Sequence, residues 1–494
     1  MSDTLATAAA RLAGGLLLAY ALLIGMTFYW GFVRADGLAA RPDNTRRITF
    51  DRRIARGRIL DRAGRVLAET RPSPSGEDGD PRQAEASRRA YPYPAAAPVV
   101  GFQTWRYGAG GDTRVTYGIG GAEAAYDLAL RGDLGLSVRQ LLASRVLHRA
   151  QRGHDVQLSL DAELQAYAAQ LVGDREGAVV VLDVASGAVR ALVSLPTFDP
   201  EDLDAGGVGD DPTSPLLNRA TQGLYTPGSV FKVITLAAAL DEGLTSPDQV
   251  FADGDAEASF DGFPVACGNN PPGLVRFDLA HAFGYSCNLT FARLGDELGE
   301  VRFRAFARRF GIESAPPFPL PLASGQLSPD LPMSRAELVS AAFGQGQTLV
   351  TPLQMALVAA AVAGDGSLPV PWLLADVPGQ RWAGMADERG TWMRAVGPGT
   401  AAQVRRIMQI SAEDGYARSA ADAAGIAIGG KTGTAQLGGD RAPHSWFVGF
   451  APADRPRLAV AVLVVEGGEG ARVAAPIGGQ VLARGLQLEA EAGD

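Results

Sequence analysis

Lysine is nearly absent from this chain. It occurs at positions 232 and 431 only, and every other one of the 45 Lys and Arg residues is Arg. An ammonium can lose its proton inside a protein, whereas a guanidinium effectively cannot. Codon bias accounts for one leftover lysine, but two leftovers that both fall inside motifs suited to proton chemistry reverse that reading. Cysteine is scarce too. Cys267 and Cys287 are too few for a disulfide framework and too far apart for a CxxC metal or redox motif. The four histidines, His148, His154, His281 and His444, show no HExxH or other ligand spacing, so neither a metal nor a cofactor is expected. A net charge of −9 argues against nucleic acid as a partner.

What is present is a globular composition, 47% hydrophobic and 20% charged, in a chain of 494 residues, too long for one ordinary core. Residues Leu12 to Val33 form an uncharged run of 22 residues. As a helix at ~1.5 Å per residue that run crosses a bilayer core. Arg11 and Arg34 bracket it, and Phe28, Tyr29, Trp30 and Phe32 crowd its far end as an interfacial cluster would. The run is longer than the apolar region of a signal peptide and no small-x-small site follows it, so an uncleaved anchor at 12–33 behind a tail of residues 1–11 is expected. Arg34, Arg41, Arg46, Arg47, Arg52 and Arg53 follow the anchor, and the positive-inside rule alone would leave the large domain in the cytoplasm. Large domains translocate regardless of flanking charge, so the chemistry of the site has to decide the orientation.

Residues 34–152 read as a membrane-proximal segment. It holds a hairpin over Gly57 to Leu67 turning at Ala63-Gly64, a flexible loop over 71–90 rich in Pro, Ser, Gly, Asp and Arg, and a short amphipathic helix around Glu123 to Leu130. The main domain occupies 155–494. A helix is predicted over Ala162 to Val172 and strands over Gly177 to Asp183 and Ala188 to Ser194. Near the other end, strands are predicted over Ile428 to Gln436, Ser445 to Phe450 and Leu458 to Glu466, followed by a helix from Ile477. Between them the chain is mainly helical, as in Val339 to Val362. This pattern predicts a mixed α/β (α+β) fold in which one sheet of about five strands is assembled from both ends of the domain around a helical insertion.

Three short elements carry chemistry. In Tyr225-Thr-Pro-Gly-Ser229-Val-Phe-Lys232, Pro227-Gly228 breaks the chain and the residues to Leu240 are helical, which puts Ser229 at a helix start. Ser229 and Lys232, three apart, share one face, close enough for a neutral amine to take the hydroxyl proton. The exposed N–H groups there suit a developing oxyanion. Alone, S-x-x-K is more often a Ser N-cap with a solvated Lys. Lys431-Thr432-Gly433-Thr434 lies on a predicted strand, where alternation puts Lys431 and Gly433 on one side and Thr432 and Thr434 on the other unless a twist re-aims them. Ser286-Cys287-Asn288 precedes a helical stretch and by itself is an N-cap signature. The order S-x-x-K, S-x-N, K-T-G, with 57 residues between the first and second serines and 145 from Ser286 to Lys431, is far more specific than any member.

At these residues the sequence resembles the penicillin-binding transpeptidases of class B. It is most similar to their compact penicillin-binding protein A group of actinobacteria. Arg56 to Gly64, Tyr117 to Gly132, Gly344 to Met355 and His444 to Pro452 resemble further segments of that family, so the likeness covers most of the chain. The resemblance implies a β-lactamase/transpeptidase-like domain and a peptidoglycan D,D-transpeptidase that works through a Ser229 acyl-enzyme and is inhibited by β-lactams. Lys232 is then the base, Ser286 the proton relay and Asn288 the residue that holds Lys232 and the substrate amide. Lys431, Thr432 and Thr434 bind a terminal carboxylate beside Gly433, and the Ser229 and Thr434 amides form the oxyanion hole. It further implies stem peptides as substrate, a catalytic domain outside the cytoplasmic membrane, and a membrane-embedded glycan polymerase as partner. In that compartment Cys267 and Cys287 have two readings, a disulfide joining a loop to the active-site wall or two unpaired small residues.

Rival readings divide on single features. No E-x-x-L-N deacylation signature supports a β-lactamase, and neither Ser229 nor Ser286 lies in a G-x-S-x-G elbow. A carboxypeptidase differs only in taking water as acceptor, which sequence separates poorly.

Overall fold

The computed structural model describes residues 2–34, 56–72, 87–107, 114–132, 152–203, 211–268, 270–378 and 389–492. Two compact units emerge: residues 1–55, 104–117 and 136–152 in one, and 56–103, 118–135 and 153–494 in the other. The first contains helix α1 (Ser2–Phe28), which runs into a π-turn at Tyr29–Val33. The helix begins ten residues earlier than the apolar run because Leu5 to Arg11 is alanine-rich and helix-favouring. Its stretch Ala6–Gly31 is long and apolar enough to cross a membrane and is buried against nothing. Most of the arginine-rich stretch beyond Arg34, and residues 73–86 of the expected loop, lie outside the described residues.

The central sheet of the second unit is antiparallel. Its strands are β1 (Gly177–Asp183), β2 (Val189–Leu195), β5 (Gly429–Ala435), β6 (His444–Ala451) and β7 (Leu458–Val464), in spatial order β5-β6-β7-β1-β2. Strands β3 (Glu257–Phe260) and β4 (Phe263–Ala266) form a separate hairpin. Strands β1 and β7 read as near-continuous apolar runs because both faces are covered. Ala178, Val180 and Leu182 join the core under the helical insertion, while Val179 and Val181 join a second core. That second core lies under α2 (Ala162–Val172) and the C-terminal helix α9 (Ala474–Glu491). Alternation thus sends successive valines of one strand into different cores. β5 pairs with β6 alone and is an edge strand, with Lys431 opposite Val448 and Thr434 opposite Ser445.

The insertion contributes α3 (Lys232–Asp241), α4 (Leu279–Gly284), α5 (Asn288–Arg309), α6 (Arg335–Ala342), α7 (Pro352–Ala363) and α8 (Pro398–Asp414). The single helical stretch expected over Val339 to Val362 is two helices. Gly344 and Gly346 take φ of 77° and 71° and end α6, and Thr351 restarts the chain with a capping box ahead of Pro352. The flexible loop expected over 71–90 is bounded by strands, because Val66–Pro72 and Ser87–Ala90 pair with Arg71 opposite Arg88.

The amphipathic helix expected around Glu123 is two short ones, Gly121–Ala125 and Asp127–Leu130, parted at Tyr126. Glu123 is not on a solvated face. It is fully buried between Arg56 Nε at 2.7 Å and Arg89 Nε at 2.7 Å, with Asp127 2.6 Å from Arg56. Burial opposes its ionisation, but the Arg89 and Arg56 charges together outweigh it and hold the carboxyl below its ordinary range. Glu123→Ala leaves the buried Arg89 guanidinium without a carboxylate and Arg56 with Asp127 alone, and is expected to cost about 3–5 kcal/mol, read as a lowered melting temperature of the full chain. A melting temperature equal to wild type would refute the clamp.

Candidate active site

The nucleophile turn is a 3₁₀ segment, Gly228–Phe231, which passes into α3 at Lys232. This differs from the α-helical start expected, and it matters because residues i and i+3 eclipse in a 3₁₀ turn, stacking Ser229 over Lys232. Three neighbours hold the turn. Gly228 N–H donates to Gly344 O at 2.8 Å, Trp446 Nε1 donates to Thr226 O at 3.0 Å, and Tyr225 and Val350 exchange backbone hydrogen bonds. Gly344 tolerates no side chain, since a Cβ would lie 2.0 Å from Gly228 O. Gly433 is tight as well, with its Cβ position 3.0 Å from Pro227 O and Val230 Cγ1, so the face of β5 that carries Lys431 and Gly433 lies against the nucleophile turn.

The S-x-N motif is a helix-to-helix junction with no spare residue. Helix α4 ends in a Schellman motif: Ser286 N–H donates to Phe283 O at 3.1 Å, and Cys287 N–H donates to Ala282 O at 2.9 Å. The residue in the left-handed position is Ser286, at φ 61°, where glycine is usual. A non-glycine residue there costs about 1–3 kcal/mol, and such strain concentrates at functional sites. The geometry turns both the carbonyl and the hydroxyl of Ser286 onto one amine. Lys232 Nζ donates to Ser286 O at 2.7 Å, to Asn288 Oδ1 at 2.7 Å, and lies 3.0 Å from Ser286 Oγ. Read by itself the motif is an N-cap signature, and the cap residue of α5 is Cys287; the family resemblance is what pointed to Ser286 and Asn288 beside Lys232.

Both lysines are fully buried. Burial first, and the Lys431 charge second, hold Lys232 well below its usual 10.5. Burial lowers Lys431 to about 7. Lys431 Nζ donates to Thr432 O at 2.9 Å and lies 3.0 Å from Ser286 Oγ. One hydroxyl therefore bridges two amines. It has one proton to give and lone pairs to accept, so it can take a hydrogen bond from a charged Lys431 while donating to a neutral Lys232. A neutral Lys232 then spends its two N–H groups on the Ser286 carbonyl and the Asn288 amide oxygen, and its lone pair meets the Ser286 proton. The pattern is complete with one lysine neutral and the other charged, and burial disfavours both being charged.

The structure thus brings Lys232, Ser286, Asn288 and Lys431 into one hydrogen-bonded cluster, with Ser229 a turn before Lys232 and Gly433 against that turn. Thr432 is buried and its carbonyl accepts from Lys431, and Thr434 Oγ1 accepts from Gly470 N at 3.2 Å while keeping its own proton to donate. Cys267 and Cys287 are joined as a disulfide. Gly344 and Trp446 stood in segments quoted for resemblance alone. Their contacts to the nucleophile turn span more than a hundred residues of sequence, which no local pattern reveals.

An antiparallel sheet beside a helical insertion, with a serine at a 3₁₀ turn and a buried lysine in place of histidine, defines an active-site-serine acyltransferase of the S-x-x-K type. Comparison with known proteins agrees. The penicillin-binding protein transpeptidase domain matches residues 177–483. The peptidoglycan D,D-transpeptidase PbpA of Mycolicibacterium smegmatis is 35% identical over 97% of this chain and 99% of its own. Among solved structures, penicillin-binding protein A of M. tuberculosis as a ceftriaxone acyl-enzyme superposes with a TM-score of 0.74 at 32% identity, covering 87% of this chain and 98% of that one. The D,D-transpeptidase domain of a peptidoglycan glycosyltransferase from Eggerthella lenta gives a TM-score of 0.71 at 32% identity, covering 88% and 99%. The chain belongs to the penicillin-binding protein transpeptidase family.

Proposed function

We propose that this chain is a membrane-anchored peptidoglycan D,D-transpeptidase that acylates Ser229, with its catalytic domain outside the cytoplasmic membrane. The observation that carries the reading is the Lys232–Ser286–Lys431 bridge, because it offers an amine of lowered pKa one turn from the nucleophile and a hydroxyl that can carry its proton. Lys232 Nζ takes the Ser229 proton as Oγ attacks the carbonyl between two D-alanines of a stem peptide. The Ser229 and Thr434 amides receive the oxyanion. As the C–N bond breaks, the proton passes from Lys232 through Ser286 to the leaving amine, and D-alanine departs. An amine of a neighbouring stem then attacks the ester and gives its proton to Lys232, which passes it to Ser229 Oγ as the C–O bond breaks, leaving a crosslink and the free serine. Lys431, Thr432 and Thr434 bind the terminal carboxylate, and Asn288 orients Lys232 and the substrate amide.

That substrate lies outside the membrane, which outweighs the arginine count after the anchor as a guide to topology. The arginine-rich flank then suits contact with anionic lipid or with a membrane-embedded glycan polymerase, the partner this reading assigns. Replacing Arg41, Arg46, Arg47, Arg52 and Arg53 and finding localisation and complex formation intact would remove that assignment.

The test of the central reading is the lifetime of a labelled penicillin bound to Ser229. A stoichiometric adduct stable over many minutes, absent in Ser229→Ala, is expected. Rapid multiple turnover of the label would instead make the chain a β-lactamase.

A further inference from the structure

Residues 250–278 leave the domain between α3 and α4, pair Val250–Phe251 with Phe277–Asp278 at their base, and carry the β3–β4 hairpin. Three tethers draw this excursion onto the S-x-N junction and its helix. Cys267 is bonded to Cys287, the middle residue of the motif. Asp253 Oδ2 accepts from Thr290 Oγ1 at 2.9 Å, and Asp253 Oδ1 lies 3.3 Å from Arg293 NH1, both partners on α5. At the hairpin tip, Arg335 pairs with Asp261 at 3.7 Å and with Asp296 of α5 at 2.6 Å, with its guanidinium 5.4 Å over the Phe260 ring. Asp253 and Thr290 are almost wholly buried, so their bond is sheltered from water.

Helix α5 needs these tethers because its own cap is poor. The capping atom is Cys287 Sγ, which Thr290 N and Thr290 Oγ1 approach at 3.4 and 3.1 Å. Disulfide sulfur is a weak acceptor where Ser, Thr, Asp or Asn is usual. On the other side of Cys287, Ser286 occupies a left-handed conformation that a serine abandons unless its surroundings impose it. The two atoms that must stay on Lys232, Ser286 Oγ and Asn288 Oδ1, therefore flank a residue held from outside by a covalent bond.

We propose that the 250–278 excursion is a positioning device for acylation, in which Cys267 and Asp253 hold Ser286 and Asn288 on Lys232. Acylation of Ser229 then depends on the Cys267–Cys287 bond. The inference rests on the Ser229 acyl-enzyme reading and adds to it a dependence on two residues that touch no substrate.

The experiment follows acylation of the full-length protein in detergent by a labelled penicillin, with binding (K) and bond formation (k2) separated by stopped flow. The protein is used oxidised, reduced and reoxidised. Reduction by dithiothreitol breaks the S–S bond and forms two thiols, while the reagent closes to its cyclic disulfide. Reduced wild type and Cys267→Ser are expected to lose about tenfold or more in k2 with K within about twofold, the signature of a group that acts on the bond-forming step. Reoxidation restores wild type, and reductant leaves Cys267→Ser unchanged. The acid limb of the pH profile moves up in both, since a loosened junction admits water to Lys232 and relieves the burial that lowers it. A merely stabilising crosslink would not move that limb. Asp253→Ala on the oxidised chain gives the same loss, and Asp253→Asn, which still accepts from Thr290, recovers most of it. Reduced wild type with unchanged k2 and pH profile, or two free thiols in the protein as isolated, overturns the inference. A wild-type chain that never forms an adduct on Ser229 overturns the enzyme reading and this inference with it.

Discussion

Lys232→Arg is expected to lower the rate constant for acylation of Ser229 by a labelled penicillin by about 10²–10⁴-fold, the usual contribution of a general base. A guanidinium keeps its proton at any pH the protein survives, so the variant retains the charge and loses the lone pair. In wild type burial and the Lys431 charge hold Lys232 well below 10.5, which favours the neutral amine that carries that lone pair. The larger side chain must fit where Lys232 is fully enclosed beside the Phe291 ring, so a melting curve accompanies the kinetics. A folded variant that acylates within about tenfold of wild type would exclude Lys232 as the base.

Lys431 replacements are expected to separate charge from proton transfer through the pH profile of acylation. Acylation efficiency reports the free enzyme, where Lys431 titrates at about 7. If its ammonium binds the substrate carboxylate, as proposed, that charge is present below this value and lost above it, so the wild-type rate is expected to fall as pH rises through about 7. Lys431→Arg stays charged and is expected to keep measurable activity while losing this alkaline limb. Lys431→Met removes the charge that repels a proton on Lys232, the second of the two causes of its lowered pKa, and so moves the acid limb upward. Loss of all acylation in Lys431→Arg at every pH, equal to that of Lys232→Arg, would end the division of roles between the two lysines.

Much of the sheet was legible because its strands have local signatures. The bounds of α2 and β1 match the expected ones, and β2, β5, β6 and β7 differ by one or two residues at their ends. The gathering of both ends of the domain into one sheet follows from where those runs lie, and β7 beside β1 closes it. Elements whose form depends on distant partners were less legible. The single helix expected over 339–362 has Gly344, Gly346 and Pro352 in its middle, and the two glycines at positive φ and the capped proline divide it. Glu123 looks like the polar face of a surface helix, and only Arg56 and Arg89, brought from 67 and 34 residues away, make its burial tolerable.

The active site divides in the same way. The residue types, their order and the rarity of lysine were present in the linear chain, because S-x-x-K and K-T-G are local geometries of a turn and a strand. The protonation states were not. Lys232 and Lys431 are 199 residues apart in sequence, and only the tertiary fold sets both amines 3.0 Å from one serine hydroxyl and removes water from around them. The left-handed Ser286 likewise has no sequence signal, since serine avoids that conformation. It exists where the end of α4, the start of α5 and the Cys267–Cys287 bond leave the chain no other path.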